Sequence, residues 1–190
     1  MTTRRQFLGH TAAVTGSFIA APAFLRAAEQ PPYRVAEKYE PQEVRVKSDL
    51  PAGEIYVVTA RHFLYLTLGE GRAMRYGVAV GKAGLNFRGR ATIARKVKWP
   101  SWRPTPDMIE RNPSYAKYEE GMPGGPGNPL GSRALYLYQN GYDTAYRIHG
   151  TTQPSSVGRS VSNGCIRMTN WHVEELYERV PLGTRVTVYS

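Results

Sequence analysis

The chain of 190 residues carries a formal net charge of +10 and contains one cysteine. This length suits a single domain with a substantial core, and one cysteine excludes an internal disulfide. The positive charge suits nucleic acid, anionic lipid or an anionic polymer as a partner, but the cationic residues are scattered and resemble no nucleic-acid-binding motif, which argues against nucleic acid.

The N-terminal segment has the composition of an export signal. Arg4 and Arg5 are followed by an apolar, alanine-rich run that ends at about Leu25. Paired arginines before such a run are typical of a twin-arginine signal, and the run is too short and too weakly apolar for a comfortable membrane span. We expect residues 1–28 to be a signal peptide, with a retained N-terminal anchor as the alternative. Its removal would leave an exported protein of the periplasm or cell wall with no stable membrane span.

The segment after the predicted signal changes character twice. Residues 29–52 are polar and punctuated by prolines, which predicts a linker or an irregular N-terminal arm. Residues 53–190 then show short apolar and β-branched runs separated by turn residues, which predicts a mainly β domain. The predicted strands are Glu54–Ala60, Phe63–Leu68, Met74–Val80, Thr92–Trp99, Ala134–Tyr138, Ala145–Ile148 and Arg185–Tyr189.

Two helices interrupt the β pattern. Thr105 can cap a short helix that starts with Pro106. A second helix is predicted over Asn170–Arg179, with Asn170 as its N-cap and an apolar face at helical spacing. Because this helix begins just after the cysteine, we expect it to support the segment that carries the thiol.

The stretch Gly121–Gly131 contains five glycines and three prolines. This composition predicts a loop whose backbone turns repeatedly. Composition alone leaves open whether the loop is a plain surface connection or part of a functional cleft.

The only cysteine, Cys165, lies sixteen residues after His149. A thiol nucleophile needs a base that generates its thiolate, and a Cys–His pair is the minimal arrangement for this. Gly164 leaves room for a substrate and for backbone N–H groups directed at an oxyanion. The alternative is that Cys165 packs as a small hydrophobe, but Arg167, which is costly in a core unless it is paired or binds an anion, favours a functional site.

With these residues in place, residues 53–189 resemble the L,D-transpeptidase catalytic domain, or YkuD-like domain. The resemblance rests on the pair His149–Gly150 and, after a spacer, on the Ser-Asn-Gly-Cys-Ile-Arg motif that runs from Ser162 to Arg167. It implies a mainly β, YkuD-like β-sandwich with one short helix and one helix near the C-terminus flanking the cysteine motif. It also implies that the loop Gly121–Gly131 lies beside the catalytic cleft.

The resemblance implies a role for each motif residue. Cys165 corresponds to the nucleophile and His149 to the general base and acid, acting either during attack or through a preformed ion pair. Gly164 and Cys165 would offer backbone N–H groups to the oxyanion, and Arg167 would steer a substrate carboxylate. Many members carry a second histidine where this chain has Asn163, which can hydrogen-bond but cannot act as a base at neutral pH. The candidate oxyanion and substrate residues are Ser162, Asn163, Gly164, Arg167 and Gly150.

The implied activity is peptidoglycan L,D-transpeptidation with stem peptides as donor and acceptor. The thiolate would release D-alanine, form a thioester and pass the acyl group to an amine of a second stem. Water as the acceptor would give L,D-carboxypeptidase activity, and a free D-amino acid would give exchange. Carbapenems should acylate Cys165. Two other classes remain open, namely another cell-wall cysteine amidase or endopeptidase, and a non-catalytic wall-binding module.

The sequence implies no cofactor and no metal. A zinc site would need Cys165, His149 and either His62 or His172, since three protein ligands suffice for catalytic zinc. No Cys-x-x-Cys or His-Glu-x-x-His spacing supports such a site.

Overall fold

The computed structural model describes residues 33–190, which carry eleven strands and two α-helices. The strands are β1 (Gln42–Arg45), β2 (Ile55–Val58), β3 (Phe63–Gly69), β4 (Arg72–Gly77), β5 (Val80–Gly81), β6 (Gly89–Lys98), β7 (Arg133–Gln139), β8 (Tyr142–His149), β9 (Ser160–Ser162), β10 (Ile166–Arg167) and β11 (Arg185–Tyr189). The α-helices are α1 (Pro106–Arg111) and α2 (Asn170–Arg179). The predicted signal peptide over residues 1–28 lies outside the described residues. No helix within 33–190 is long and apolar enough to cross a bilayer.

Nine strands form one sheet in the order β1-β4-β3-β2-β11-β6-β7-β8-β10, and β5 pairs with β9. Neighbours in the large sheet are antiparallel except for the parallel pairs β2–β11 and β8–β10. The β10 edge is also bonded to the chain that leaves β4, because the N–H groups of Ala79 and Arg167 each donate to the other residue's carbonyl at 2.8 Å. The sheet therefore curves until its two ends share one interior.

The core fills this interior with side chains from both halves of the sheet and from one face of α2. Strand side chains alternate between faces, so every second residue of β2 and β11 is buried. Helix α2 contributes Val173, Leu176 and Tyr177, which share a face at helical spacing. Each fully buried aliphatic side chain contributes roughly 1.5–3 kcal/mol. The prediction of a mainly β fold with a short helix and a helix near the C-terminus is confirmed.

The bounds of both helices follow their capping residues. Thr105 Oγ1 accepts a hydrogen bond from the Met108 N–H at 3.3 Å, with Pro106 in the first turn, as predicted. Helix α2 covers the predicted range, but the prediction of Asn170 as its N-cap is wrong. Thr169 takes that position, since its Oγ1 accepts from the His172 N–H at 3.2 Å. The Asn170 side chain is thereby left for another use.

The segment expected to be a linker or irregular arm contains more structure than its composition indicated. Residues 37–39 form a 3-10 turn, and β1 pairs with β4 in antiparallel register over four residues. Four residues are too few to establish an alternation in the sequence, so the strand forms because the edge of β4 offers a partner.

Tyr39 and Glu40 fix this arm to the domain. The Tyr39 ring lies 5.6 Å from the Phe63 ring, and Tyr39 packs so closely on Gly77 that a Cβ there would lie 2.8 Å from the Tyr39 carbonyl oxygen. Glu40 Oε2 lies 3.1 Å from Nε2 of the buried His172 in α2. The arm is thus part of the packed domain.

We expect Gly77→Ala to lower the free energy of unfolding by about 1–3 kcal/mol, because its Cβ would force Tyr39 off the sheet. Gly125→Ala is the matched control, since its Cβ would meet nothing within 4 Å, and it should change stability by less than about 0.5 kcal/mol. Urea denaturation measures both values. Equal stability of the two variants would mean that the arm is not docked in solution.

Candidate active site

A cavity of about 750 Å³ lies between the β8–β10 edge of the sheet and the segment of residues 101–130. Its sheet side is lined by both sequence motifs. Its other side is lined by Trp102 and Tyr115 from the α1 region and by Met122, Gly127 and Leu130 from the Gly/Pro-rich loop. The loop expected to lie beside a cleft therefore forms part of the cavity wall.

The register of β8 and β10 decides which side chains face this cavity. In the parallel pair, Ile148 lies beside Ile166 and His149 beside Arg167. Paired residues point to the same side of a sheet and alternate along each strand. Because both isoleucines are buried in the core, the residues on either side of them face the cavity. Arg147, His149, Cys165 and Arg167 accordingly all line the cavity.

His149 ends β8 and is almost fully buried, with 3% of its surface exposed. Its Nδ1 lies 2.5 Å from the carbonyl oxygen of Gly150. A carbonyl only accepts hydrogen bonds, so Nδ1 carries the proton and Nε2 is the unprotonated nitrogen of the neutral ring. Burial, with a contribution from the charge of Arg167, lowers the pKa of His149 to about 3. The imidazole is therefore neutral at physiological pH and can accept a proton.

Cys165 is half-buried, and its Sγ lies 3.9 Å from the carbonyl oxygen of Ala145. Burial raises the pKa of this thiol, while the Arg147 backbone and the charges of Arg147 and Arg167 oppose the rise. The raised pKa of Cys165 and the lowered pKa of His149 both favour the neutral forms. Of the two options for activation, a neutral thiol that transfers its proton during attack fits this structure better than a preformed ion pair.

The backbone around Gly164 is held in a tight turn. Ser162 Oγ donates to the Cys165 carbonyl oxygen at 2.6 Å and accepts from the Gly164 N–H at 3.1 Å. Gly164 has φ +122°, and a Cβ there would lie 2.6 Å from both the Leu85 carbonyl oxygen and the Tyr146 ring. Only glycine fits this position, because both the conformation and the space exclude a side chain.

This turn changes the expected role of the Gly164 N–H as a donor to the oxyanion. Its N–H is bonded to Ser162 within the turn, so it does not point freely into the cavity. Within residues 33–190, by contrast, the Cys165 N–H has no hydrogen-bond acceptor. The Cys165 N–H is therefore the better-placed backbone donor of the two.

Gly150 and Asn170 together hold the carbonyl that orients His149. Asn170 Oδ1 accepts from the N–H groups of Ser132 and Thr151, each at 3.1 Å. A Cβ on Gly150 would collide with this Oδ1 atom, so glycine is required for the close approach. Sequence reasoning missed Asn170 as a site residue because Thr169 and Asn170 are both good N-caps. Only the residue that does not cap the helix has a side chain free to bind elsewhere.

Arg147 is a second residue that sequence reasoning missed. Its guanidinium makes a bidentate pair with Asp143 at 2.7 and 2.8 Å and lies 4.1 Å from the Tyr136 ring centre. The signal was available, since Arg147 precedes His149 by two residues in a strand and must share its face.

Asn163 and Arg167 line the cavity as half-buried side chains. The Arg167 Nε atom is buried and has no hydrogen-bond partner within the described part of the chain, and burial lowers the pKa of its guanidinium. The two other histidines of residues 33–190 lie elsewhere, with His62 Nε2 3.0 Å from Ser160 Oγ and His172 bonded to Glu40. Over residues 33–190, no three His, Cys, Asp or Glu side chains converge as a metal site.

Comparison with known proteins matches residues 52–188 to the family "YkuD: L,D-transpeptidase catalytic domain". The probable L,D-transpeptidases ErfK/SrfK and YbiS of Escherichia coli are 31% and 30% identical, and the matches cover 78% and 77% of this chain and 47% of each relative. The chain spans about half the length of the curated relatives it matches. A crystal structure from Brucella melitensis is 52% identical, with a TM-score of 0.56 over 82% of this chain and 96% of that one. That protein is named a probable carnitine operon oxidoreductase, a different class of activity.

We expect the alkylation rate of Cys165 by neutral iodoacetamide to rise about tenfold per pH unit between pH 6 and 8, because only the thiolate reacts. The raised pKa of Cys165 leaves the thiol protonated throughout this range, so the thiolate fraction grows with pH. The rate at each pH is measured by quenching the reaction at a series of times and determining the alkylated fraction by mass spectrometry. A rate that is flat down to pH 5 would instead indicate a thiolate–imidazolium pair.

We expect Asn170→Ala to lower the free energy of unfolding by about 1–3 kcal/mol, because the Ser132 and Thr151 N–H groups lose their acceptor. It should also disturb the Nδ1–H form of His149, which ¹⁵N chemical shifts of the imidazole report. Asn170→Asp keeps the acceptor and should preserve that form. Thr169→Ala, which removes only the helix cap, should lower stability without changing the imidazole signal. Equal imidazole shifts in all three variants would contradict the assignment.

Proposed function

The chain belongs to the L,D-transpeptidase catalytic domain family, and on this basis we propose that it is a peptidoglycan L,D-transpeptidase that uses Cys165 as nucleophile and His149 as general base. The observation that carries the proposal is that the half-buried thiol of Cys165 and the neutral imidazole of His149 line the same cavity. A cysteine that merely fills core space would not face an open cavity beside such a base. This argues against the wall-binding module, although a raised thiol pKa alone would suit a packed cysteine.

Acylation begins with attack of Cys165 Sγ on the carbonyl carbon that precedes the terminal D-amino acid of a stem peptide. As the S–C bond forms, the thiol proton passes to His149 Nε2 and the carbonyl electron pair moves to oxygen. The Cys165 N–H stabilises this oxyanion, a contact typically worth about 3–4 kcal/mol. The C–N bond then breaks, the imidazolium returns its proton to the leaving amine, and D-alanine departs from the thioester.

Transfer repeats these steps in reverse with a new amine. His149 Nε2 takes a proton from the amine of a second stem as its nitrogen attacks the thioester carbon. The C–S bond breaks, and the imidazolium returns the proton to the departing sulfur of Cys165. The product is an amide cross-link between two stems. Water in place of the amine would give L,D-carboxypeptidase activity, and a free D-amino acid would give exchange.

The charge of the cavity suits an anionic stem peptide. Arg103, Arg111, Arg147 and Arg167 line it, whereas Asp107 is its one acidic lining residue. The positive electrostatic potential of this wall attracts ligands that carry carboxylates. Arg147 and Arg167 also act on the reaction, because they stabilise a thiolate and an oxyanion while disfavouring a protonated His149.

We also propose export through a twin-arginine-type signal over residues 1–28, with the mature domain acting in the periplasm or cell wall. The paired arginines and the small-residue positions that follow support this placement. Removal of the leader's three arginines, with no acidic residue lost, would leave a net charge of +7 for an anionic wall polymer.

The test is mass spectrometry of the protein incubated with purified disaccharide-tetrapeptide. The wild type should form stem dimers with loss of D-alanine. Cys165→Ala should form none while keeping the urea midpoint of the wild type, and His149→Ala should lose about 10²–10⁴-fold in rate. A carbapenem should add its mass to the wild type and not to Cys165→Ala. Dimers formed by Cys165→Ala would overturn the mechanism, and a shortened monomer would support the carboxypeptidase alternative.

A further inference from the structure

Strand β8 carries a bulge in its middle. Its register with β7 shifts between Tyr136 and Tyr138, so that residues 144–146 of β8 lie opposite Leu137 alone. Within this bulge Ala145 has φ +61°, a conformation that a residue with a side chain rarely adopts. Bulges redirect the chain and often lie next to active sites, and strained backbone of this kind persists only where the surrounding contacts impose it.

Two side chains of β8 hold the bulge. Asp143 Oδ1 accepts a hydrogen bond from the Ala145 N–H at 2.9 Å. Thr144 Oγ1 accepts from the Tyr146 N–H at 3.2 Å and donates to the Leu137 carbonyl oxygen at 2.6 Å. The N–H groups of the bulge thus have side-chain acceptors, as buried backbone groups require when the ladder is interrupted.

The carboxylate that holds the bulge also holds Arg147. Asp143 Oδ1 accepts from the Arg147 guanidinium at 2.7 Å in addition to the Ala145 N–H, and Oδ2 accepts a second guanidinium bond at 2.8 Å. Because one oxygen atom serves both partners, the backbone of the bulge and the neighbouring cation depend on the same side chain. Asp143 itself does not line the catalytic cavity, whereas Ala145 and Arg147 do.

The Ala145 carbonyl of the bulge faces the thiol. Cys165 Sγ donates to this oxygen at 3.9 Å, and in the described part of the chain it is the thiol's hydrogen-bond acceptor. An S–H group is a weak donor. The contact therefore matters for the position of the sulfur more than for stability.

The Arg147 N–H is directed to the same side of β8. The Gly150 N–H donates to the Arg133 carbonyl at 3.0 Å, which identifies His149 as a residue whose own N–H points away from β7. This pattern repeats every second residue, so the Arg147 N–H also points away from β7 and toward the side of β10. The Arg147 backbone accordingly opposes the rise in the pKa of Cys165, as an N–H group directed at sulfur would.

We propose that Asp143 is a positioning residue for the reaction, because it fixes the β8 bulge whose Ala145 carbonyl and Arg147 N–H hold Cys165 Sγ. This inference rests on the proposed function. The carbonyl can bind only the protonated thiol, whereas the N–H can donate to the thiolate that forms during attack. The bulge thus offers a partner to the sulfur before and after it loses its proton.

The experiment compares Asp143→Ala with Asp143→Asn. Both variants remove the negative charge, but asparagine keeps an Oδ1 atom that can accept from the Ala145 N–H, whereas alanine leaves that N–H without its acceptor. The difference between the two variants therefore reports the bulge and not the charge.

The first readout is the infrared S–H stretching band. The chain contains one cysteine, so the band arises from Cys165 alone, and the raised pKa of Cys165 keeps the thiol protonated at neutral pH. A hydrogen bond weakens the S–H bond and lowers its stretching frequency. We expect the band of Asp143→Ala to move to higher frequency and the band of Asp143→Asn to stay at the wild-type position.

The second readout is acyl-enzyme formation from disaccharide-tetrapeptide with no acceptor stem present, followed by mass spectrometry over a range of donor concentrations. Asp143→Ala should lower the rate at saturating donor by about 10–100-fold, because a displaced sulfur loses its alignment with the donor carbonyl. The donor concentration at half-saturation should stay within about twofold, since Asp143 does not touch the donor in this assignment. Asp143→Asn should restore most of the wild-type rate.

Glu43→Ala is the matched control. Glu43 also pairs with an arginine of a neighbouring strand, Arg72, at 3.2 Å, and it lies outside the cavity. This variant should change neither readout. Urea midpoints of all variants are measured, so that the rates and spectra are compared where each protein is folded.

Two outcomes would overturn the inference. Equal acylation rates in Asp143→Ala and Asp143→Asn would mean that the bond to Ala145 does not position the thiol. An S–H band in Asp143→Ala at the wild-type position would mean that the bulge does not hold the thiol. Absence of any acyl-enzyme in the wild type would instead overturn the proposed function and the positioning role with it, while the infrared comparison would still decide whether the bulge binds the thiol.

Discussion

The parallel pairing of β8 with β10 is the constraint on which the site depends. It is short, with two residue pairs, yet it sends Ile148 and Ile166 into the core and His149 and Arg167 into the cavity. A shift of one residue would reverse both assignments, burying an arginine and exposing an isoleucine. The hydrophobic core therefore sets the geometry of the proposed catalytic face, because the apolar side chains leave only one register with low free energy.

The electrostatics of the site follow from what lies around this pair. Burial and, to a smaller extent, the charges of Arg167 and Arg147 lower the pKa of His149, and both arginines oppose the rise in the pKa of Cys165 that burial causes. The resting site thus holds a neutral base and a neutral thiol beside positive charge. In the proposed reaction this positive charge would stabilise negative charge as it develops on sulfur or on the oxyanion, while it would oppose protonation of His149.

The sequence predicts those features that depend on neighbouring residues in the chain, such as motifs and helical periodicity. Cys165 and His149 follow from their motifs, and α2 follows from its periodicity. Strands β1, β9 and β10 have two to four residues each and no readable alternation, so they depend on long-range partners. Asn170 can accept hydrogen bonds from Ser132 and Thr151 because Thr169 is the N-cap of α2. The hydrogen bond from the Gly164 N–H to Ser162 Oγ depends on the rotamer of the serine side chain. Neither choice is visible before the chain is folded.

The position of β11 has a consequence for how the domain is made. This last strand lies inside the sheet, between β2 and β6, and pairs residues 186–189 with residues 55–58. The sheet cannot close before β11 is synthesised, because this strand lies between β2 and β6. Closure of the sheet is therefore governed by contacts of very long sequence separation, which makes it slow and leaves the β2 and β6 edges open to chaperones or to aggregation in the interval.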